Sequence, residues 1–66
     1  MKTWTSEEIK EFRKHLDYYQ KDFATMLGVS RQYVNYLEKG VKRPSKTLKI
    51  LLSLLEQQDK EKKKGR

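Results

Sequence analysis

Residues 20–40 read QKDFATMLGVSRQYVNYLEKG. Phe23, Ala24 and Leu27 fall on one side of a 3.6-residue period, and Asp22 sits where the positive end of a helix favours an acid. Together they predict a helix from about Gln20 to Leu27. Gly28 follows at the position where a helix commonly ends in a left-handed residue. Ser30 is a good N-cap for the next helix, and Val29 with Val34 has the spacing of a hydrophobic staple. Val34 and Leu37 form the buried side of that second helix, which runs over about 30–38, and Gly40 supplies the next stop. Two short helices are thus joined by a turn of only a few residues.

Outward from this pair, the N-terminal side carries its own start signal. Thr5 followed by Glu8 is a capping box and Trp4 with Ile9 a second staple, so a first helix begins there with Ile9, Phe12 and Leu16 on its core face. On the C-terminal side, Val41–Pro44 forms a basic loop and Ser45 caps a fourth helix. Leu48, Leu51, Leu52 and Leu55 make one stripe of it; Ile50 and Leu54 lie on a second face that needs a cover, either helix one or another chain. No stretch alternates apolar and polar residues long enough for a strand. The expected fold is all-α, a compact bundle of four or five short helices. Residues 1–55 hold the folded unit. Residues 56–66, EQQDKEKKKGR, have no apolar residue and are expected as a basic helical extension or a disordered tail.

Composition narrows the function. A chain of 66 residues buries only about 60% of the surface its unfolded form exposes, which leaves little for a core plus a substrate-sized pocket and argues against an enzyme. Without cysteine there is neither a disulfide framework nor a thiolate metal site, which fits a reducing cytoplasm. No apolar run exceeds three residues, so a membrane span and a signal peptide are not expected. The net charge of +7 is localised: residues 1–38 hold six basic and six acidic side chains, residues 39–66 ten and three. Lys39, Lys42, Arg43, Lys46 and Lys49 come without an acid among them. A focused positive field points to a polyanion, nucleic acid first and an acidic membrane surface second.

Two helices joined by a short glycine-containing turn match the DNA-binding helix-turn-helix, whose second helix enters the major groove. That second helix offers Arg31, Gln32, Tyr33, Asn35 and Tyr36 beside its buried residues, and no acid occurs from Phe23 until Glu38. Arg can pair with guanine, Gln or Asn with adenine, and a tyrosine ring with a thymine methyl or a phosphate. The segment resembles the helix-turn-helix of the Cro and cI repressor class, the XRE family. Gln20, Phe23, Ala24, Leu27, Gly28, Val29, Ser30, Val34, Leu37, Glu38 and Gly40 meet every fixed position of that family's pattern. Through Arg43-Pro44-Ser45 and the fourth helix the resemblance extends to about residue 55.

The resemblance implies a lambda-repressor-like fold and a division of labour. Arg31, Gln32, Tyr36 and Asn35 are the expected base contacts. Gln20, Ser30, Tyr33, Lys42, Arg43 and Lys46 are the expected phosphate contacts, Gln20 also bracing the recognition helix, and Arg13 is expected to pair with Glu38. Two departures stand out. Tyr19 occupies the position before Gln20 where the family usually has Ser or Thr, so helix two lacks a cap oxygen, and no obvious fifth helix follows helix four to form the usual dimer surface.

The rest reads plainly. Trp4, Phe12, Phe23 and the leucines are core; His15 is exposed surface without a ligand set for a metal; Glu7, Glu8 and Glu11 are charges on an exposed helix face and at a helix start. No catalytic nucleophile, metal site or cofactor is expected. The tail lysines Lys60, Lys62, Lys63 and Lys64 give diffuse electrostatic help, and membrane binding has no lipidation signal behind it. The expected function is a sequence-specific, double-stranded DNA-binding regulator of prokaryotic or phage type, cytoplasmic and nucleoid-associated, occupying a palindromic operator. The expected assembly is a homodimer on DNA and a weak dimer or monomer when free. The rival is an antitoxin or adaptor holding a toxin or other protein partner on the helix-four face.

Overall fold

Side-chain caps start three of the helices and glycines stop two, and the computed structural model, which describes residues 3–64, with side chains to residue 60, shows four helices. They are α1 (Ser6–His15), α2 (Gln20–Leu27), α3 (Arg31–Lys39) and α4 (Lys46–Lys64), with no strand among the described residues. At α1 the capping box is complete: Thr5 Oγ1 accepts from the Glu8 N–H at 3.2 Å, and Glu8 Oε1 accepts from the Thr5 N–H at 2.9 Å. Ser30 Oγ accepts from the Tyr33 N–H and Ser45 Oγ from the Leu48 N–H, both at 3.1 Å. Each such cap is worth about 1 kcal/mol because it satisfies an N–H that the helix cannot.

The stops are equally local. Gly28 and Gly40 take φ of +74° and +80°, the left-handed region in which a side chain is strained and glycine is not. The Val29 N–H turns back to the Ala24 carbonyl at 3.0 Å, and the Val41 N–H to the Tyr36 carbonyl at 2.9 Å, so the chain reverses at both glycines without stranding these groups. Asp17, φ +61°, makes the corresponding bend between α1 and α2, as an Asx residue can.

The core joins all four helices: Ile9 and Phe12 from α1, Phe23, Ala24 and Leu27 from α2, Val34 and Leu37 from α3, and Leu48 and Leu52 from α4, with Trp4. Phe12 is the hub, its ring centroid 5.5 Å from Trp4 and 6.1 Å from Phe23, the latter edge-on. Trp4 holds an unusual φ of +56°. Its indole is 1% exposed and donates to Ser53 Oγ of α4 at 3.0 Å, which closes the N-terminus onto the far helix.

The fourth helix departs from expectation in one respect. Leu48 and Leu52 are buried with Leu51 and Leu55 packed beside them, but α1 does not cover the second face: Ile50 remains 40% and Leu54 54% exposed. Residues 56–64 continue α4 as helix. His15 at the end of α1 holds that extension, its Nε2 lying 2.8 Å from Asp59 Oδ2.

Candidate nucleic-acid interface

α3 has one side in the core and one side out. At 100° per residue, Val34 and Leu37 point inward, and Arg31, Asn35, Lys39, Gln32 and Tyr36 occupy the remaining arc in that angular order. Arg31, Gln32 and Lys39 are exposed, Asn35 and Tyr36 half-buried. The arc carries two full positive charges, three hydrogen-bonding side chains and no carboxylate. The Gln32 carboxamide and the Tyr36 phenol meet on it, Gln32 Nε2 donating to Tyr36 Oη at 2.6 Å.

Glu38, the one acid of α3, is neutralised from behind. Arg13 donates to its two carboxylate oxygens through Nε at 2.7 Å and Nη2 at 3.1 Å, and Gln20 Nε2 adds a third bond at 3.2 Å. The Glu38 side chain is 4% exposed and that of Arg13 14%. The remaining Arg13 nitrogen, Nη1, donates to the Tyr18 carbonyl at 2.8 Å. One guanidinium thus ties the end of α1, the turn before α2 and the end of α3. The planar fork of arginine suits this arrangement and a lysine would not.

The start of α2 offers a second feature. Tyr19, its N-cap, makes no side-chain cap bond, so the first N–H groups of α2 meet no capping oxygen, an arrangement that suits an anion. Arg13, Gln20, Lys21, Asp22 and Arg31 line an open cleft at this point. Gln20 stands in it with one amide hydrogen committed to Glu38 and its carbonyl oxygen and second hydrogen left over.

The remaining candidates sit around the recognition arc. Ser30 is exposed at the start of α3, its Oγ accepting the Tyr33 N–H while its own hydroxyl hydrogen can still donate. Tyr33 is half-buried, its ring lining an apolar groove of about 280 Å³ with Leu27, Val29, Leu48 and Leu51. Tyr33 also packs against the core, as a partly buried aromatic with a polar tip can. Lys42 and Arg43 are exposed in the loop after α3, and Lys46 is exposed in the first turn of α4. Lys39, part of the basic run but not among the expected contacts, lies in the middle of the outward arc, four residues on from Asn35.

The acids gather elsewhere. Glu7, Glu8 and Glu11 of α1 face Glu56 and Asp59 of α4 across an open cleft of about 690 Å³, with His15 and Lys60 on its rim. No group of side chains suited to a metal ion occurs among the described residues, and no helix among them is long and apolar enough to cross a membrane.

No curated protein and no solved structure matches the chain. A family model described as helix-turn-helix matches residues 9–56, from the buried Ile9 of α1 through the leucine stripe of α4. The match spans α2, α3 and the turn at Gly28 and takes in most of α1 and the first half of α4, and the chain belongs to the helix-turn-helix family of DNA-binding domains, of the XRE or Cro and cI type.

Proposed function

We propose that the protein is a sequence-specific regulator that occupies an operator in double-stranded DNA, with α3 in the major groove. The observation that carries this reading is the acid-free outward arc of α3, with the exposed Lys42, Arg43 and Lys46 following it in the chain. On this reading Arg31, Gln32 and Asn35 pair with base edges, and Tyr36 stands beside Gln32 on the same arc. Gln20 and Ser30, the phenol oxygen of Tyr33, and Lys42, Arg43 and Lys46 contact phosphates, fixing the register of the helix without reading sequence. Regulation then needs no chemistry, because bound protein excludes other proteins from the same DNA. The site of action is the nucleoid.

One recognition helix reads too few base pairs to single out a site among genomic competitors, so two copies act together on half-sites about one turn, or roughly 10 bp, apart. The exposed Ile50 and Leu54 supply an apolar patch for such pairing. The patch is small beside the ~1,200–2,000 Å² of a stable interface, so the dimer forms on DNA and dissociates without it. The same patch favours a second reading, an adaptor or antitoxin that binds a protein partner through α4.

Selection from random duplexes followed by anisotropy titration at several salt concentrations tests the proposal. Lys42→Ala and Arg43→Ala weaken all duplexes nearly equally and flatten the salt dependence by about one unit of slope per lost phosphate contact, whereas Arg31→Ala costs about 1–3 kcal/mol mainly on the selected site. Failure to enrich any sequence, with weak retention on bulk DNA, would favour the adaptor.

A further inference from the structure

The contact between Gln32 and Tyr36 assigns one base of the operator. Resting on the DNA-binding reading above, we infer that Gln32 reads adenine because Tyr36 holds its carboxamide with one N–H occupied, which makes Tyr36 a positioning residue for specificity rather than a base reader itself.

A free glutamine side chain is ambiguous in the major groove. Its two N–H groups can donate together to the N7 and O6 acceptors of guanine, or one N–H and the carbonyl can pair with N7 and the N6 amino group of adenine. In this protein Gln32 Nε2 already donates to Tyr36 Oη at 2.6 Å. What remains for a base is one donor and the carbonyl acceptor. That pair complements adenine, which presents an acceptor beside a donor, and leaves a mismatch at guanine, where two acceptors would face one donor and one oxygen.

The lock is also mechanically sound. Residues 32 and 36 are one turn apart and therefore on the same face of α3. The Tyr36 carbonyl accepts from the Val41 N–H at 2.9 Å and from the Lys42 N–H at 3.3 Å, fixing the backbone that carries the ring. Gln32 lies in the first turn, which the Ser30 cap secures through the Tyr33 N–H. Both partners stand on helix, and the Tyr36 ring is half-buried. A glutamine held in place before DNA arrives loses less side-chain freedom on binding than a free one. The phenol, having accepted from Gln32, keeps its own hydrogen to donate.

The test uses the intact protein and duplexes recovered by selection from random sequence, with each position of the half-site changed in turn to the other three base pairs. Tyr36→Phe removes the oxygen and keeps the ring. Expected is an adenine preference at one position of each half-site that falls by about three- to tenfold against guanine in Tyr36→Phe, through the freed second N–H and lost ordering. Affinity for scrambled duplex and the salt slope stay unchanged. Gln32→Ala abolishes the preference, and adding Tyr36→Phe to Gln32→Ala changes nothing further.

Three results overturn the inference while leaving DNA binding intact. They are an unaltered adenine preference in Tyr36→Phe, an equal loss on all duplexes, and a change of base preference caused by Tyr36→Phe in the Gln32→Ala background. Wild-type protein with no salt-dependent binding to any duplex overturns the DNA reading itself and this inference with it. Circular dichroism melts of each variant show that the comparison is made between folded proteins.

Discussion

Removing the Glu38 carboxylate should unfold the protein more readily than removing any surface charge, and the size of the effect follows from its surroundings. Glu38 accepts from Arg13 Nε, Arg13 Nη2 and Gln20 Nε2 at 2.7, 3.1 and 3.2 Å. Breaking such a buried pair by deleting one partner costs about 3–5 kcal/mol, because the survivor is left desolvated and unpaired. Glu38→Ala leaves a guanidinium that is 14% exposed and still bonded to the Tyr18 carbonyl, which places it at the lower end, about 3 kcal/mol. Arg13→Ala leaves a carboxylate that is 4% exposed with Gln20 as its remaining donor, which places it nearer about 4 kcal/mol. A domain of this size is stable by only about 3–10 kcal/mol in total. At about 4–8 °C per kcal/mol, Glu38→Ala should lower Tm by roughly 12–24 °C. Glu38→Gln keeps the shape and one acceptor and should cost less. Replacing both partners by apolar residues, Arg13→Met with Glu38→Leu, should cost less than either alanine variant, since no charge is stranded. Thermal and urea melts followed by circular dichroism measure all four. A Tm for Glu38→Ala within a few degrees of wild type, or a double replacement that costs more than either alanine variant, would refute the reasoning.

Gly28→Ala should cost about 1–2 kcal/mol in a urea melt, purely through backbone strain, since a Cβ at Gly28 would meet no atom within 4 Å; Gly28→Asn should recover part of the loss. His15→Ala should lower stability by under about 1 kcal/mol, because the His15 and Asp59 side chains are 46% and 22% exposed and such pairs are worth little; a larger drop on denaturation would show that α4 depends on this contact. Ile50→Lys with Leu54→Lys should leave the melting curve within about 0.5 kcal/mol of wild type, as surface changes do. The pair should also reduce the steepness of binding to a two-half-site duplex without affecting a single half-site. A stable dimer at nanomolar concentration without DNA, seen by sedimentation, would show the assembly reasoning to be wrong.

The features legible in the sequence are those set within a few residues. Thr5 with Glu8, Ser30 before Tyr33, Ser45 before Leu48 and the two glycine stops depend on spacings of three or four along one chain segment, and backbone chemistry alone requires them. The leucine stripe of α4 was legible for the same reason, as a period. What lay hidden depends on how helices cross. Trp4 meets Ser53 and His15 meets Asp59 across 49 and 44 residues, and no local pattern specifies that α4 passes the end of α1 at that height. The acids of α1 read as an ordinary exposed face until Glu56 and Asp59 arrive beside them. The Gln32 to Tyr36 bond is a middle case. Its spacing of four places the two on one face, but that a phenol and a carboxamide bond to each other instead of to solvent is a matter of rotamers.

These placements sort the charges of a chain whose first 38 residues are neutral in sum. Of the six acids there, Glu7, Glu8 and Glu11 line the cleft between α1 and α4 with Glu56 and Asp59, and Glu38 is consumed inside by Arg13. Asp17 and Asp22 remain, one at the bend before α2 and one in its first turn. The outward arc of α3, the loop after it and the first turn of α4 therefore face solvent with Arg31, Lys39, Lys42, Arg43 and Lys46, and Glu38, the one acid between them in the chain, is paired with Arg13. Basic side chains gathered in this way attract a polyanion and make its approach depend on salt. The Arg13 and Glu38 pair thus has two consequences. It fixes the end of α3 against α1, and by satisfying the acid at the end of the recognition helix internally it leaves the arc beside it cationic.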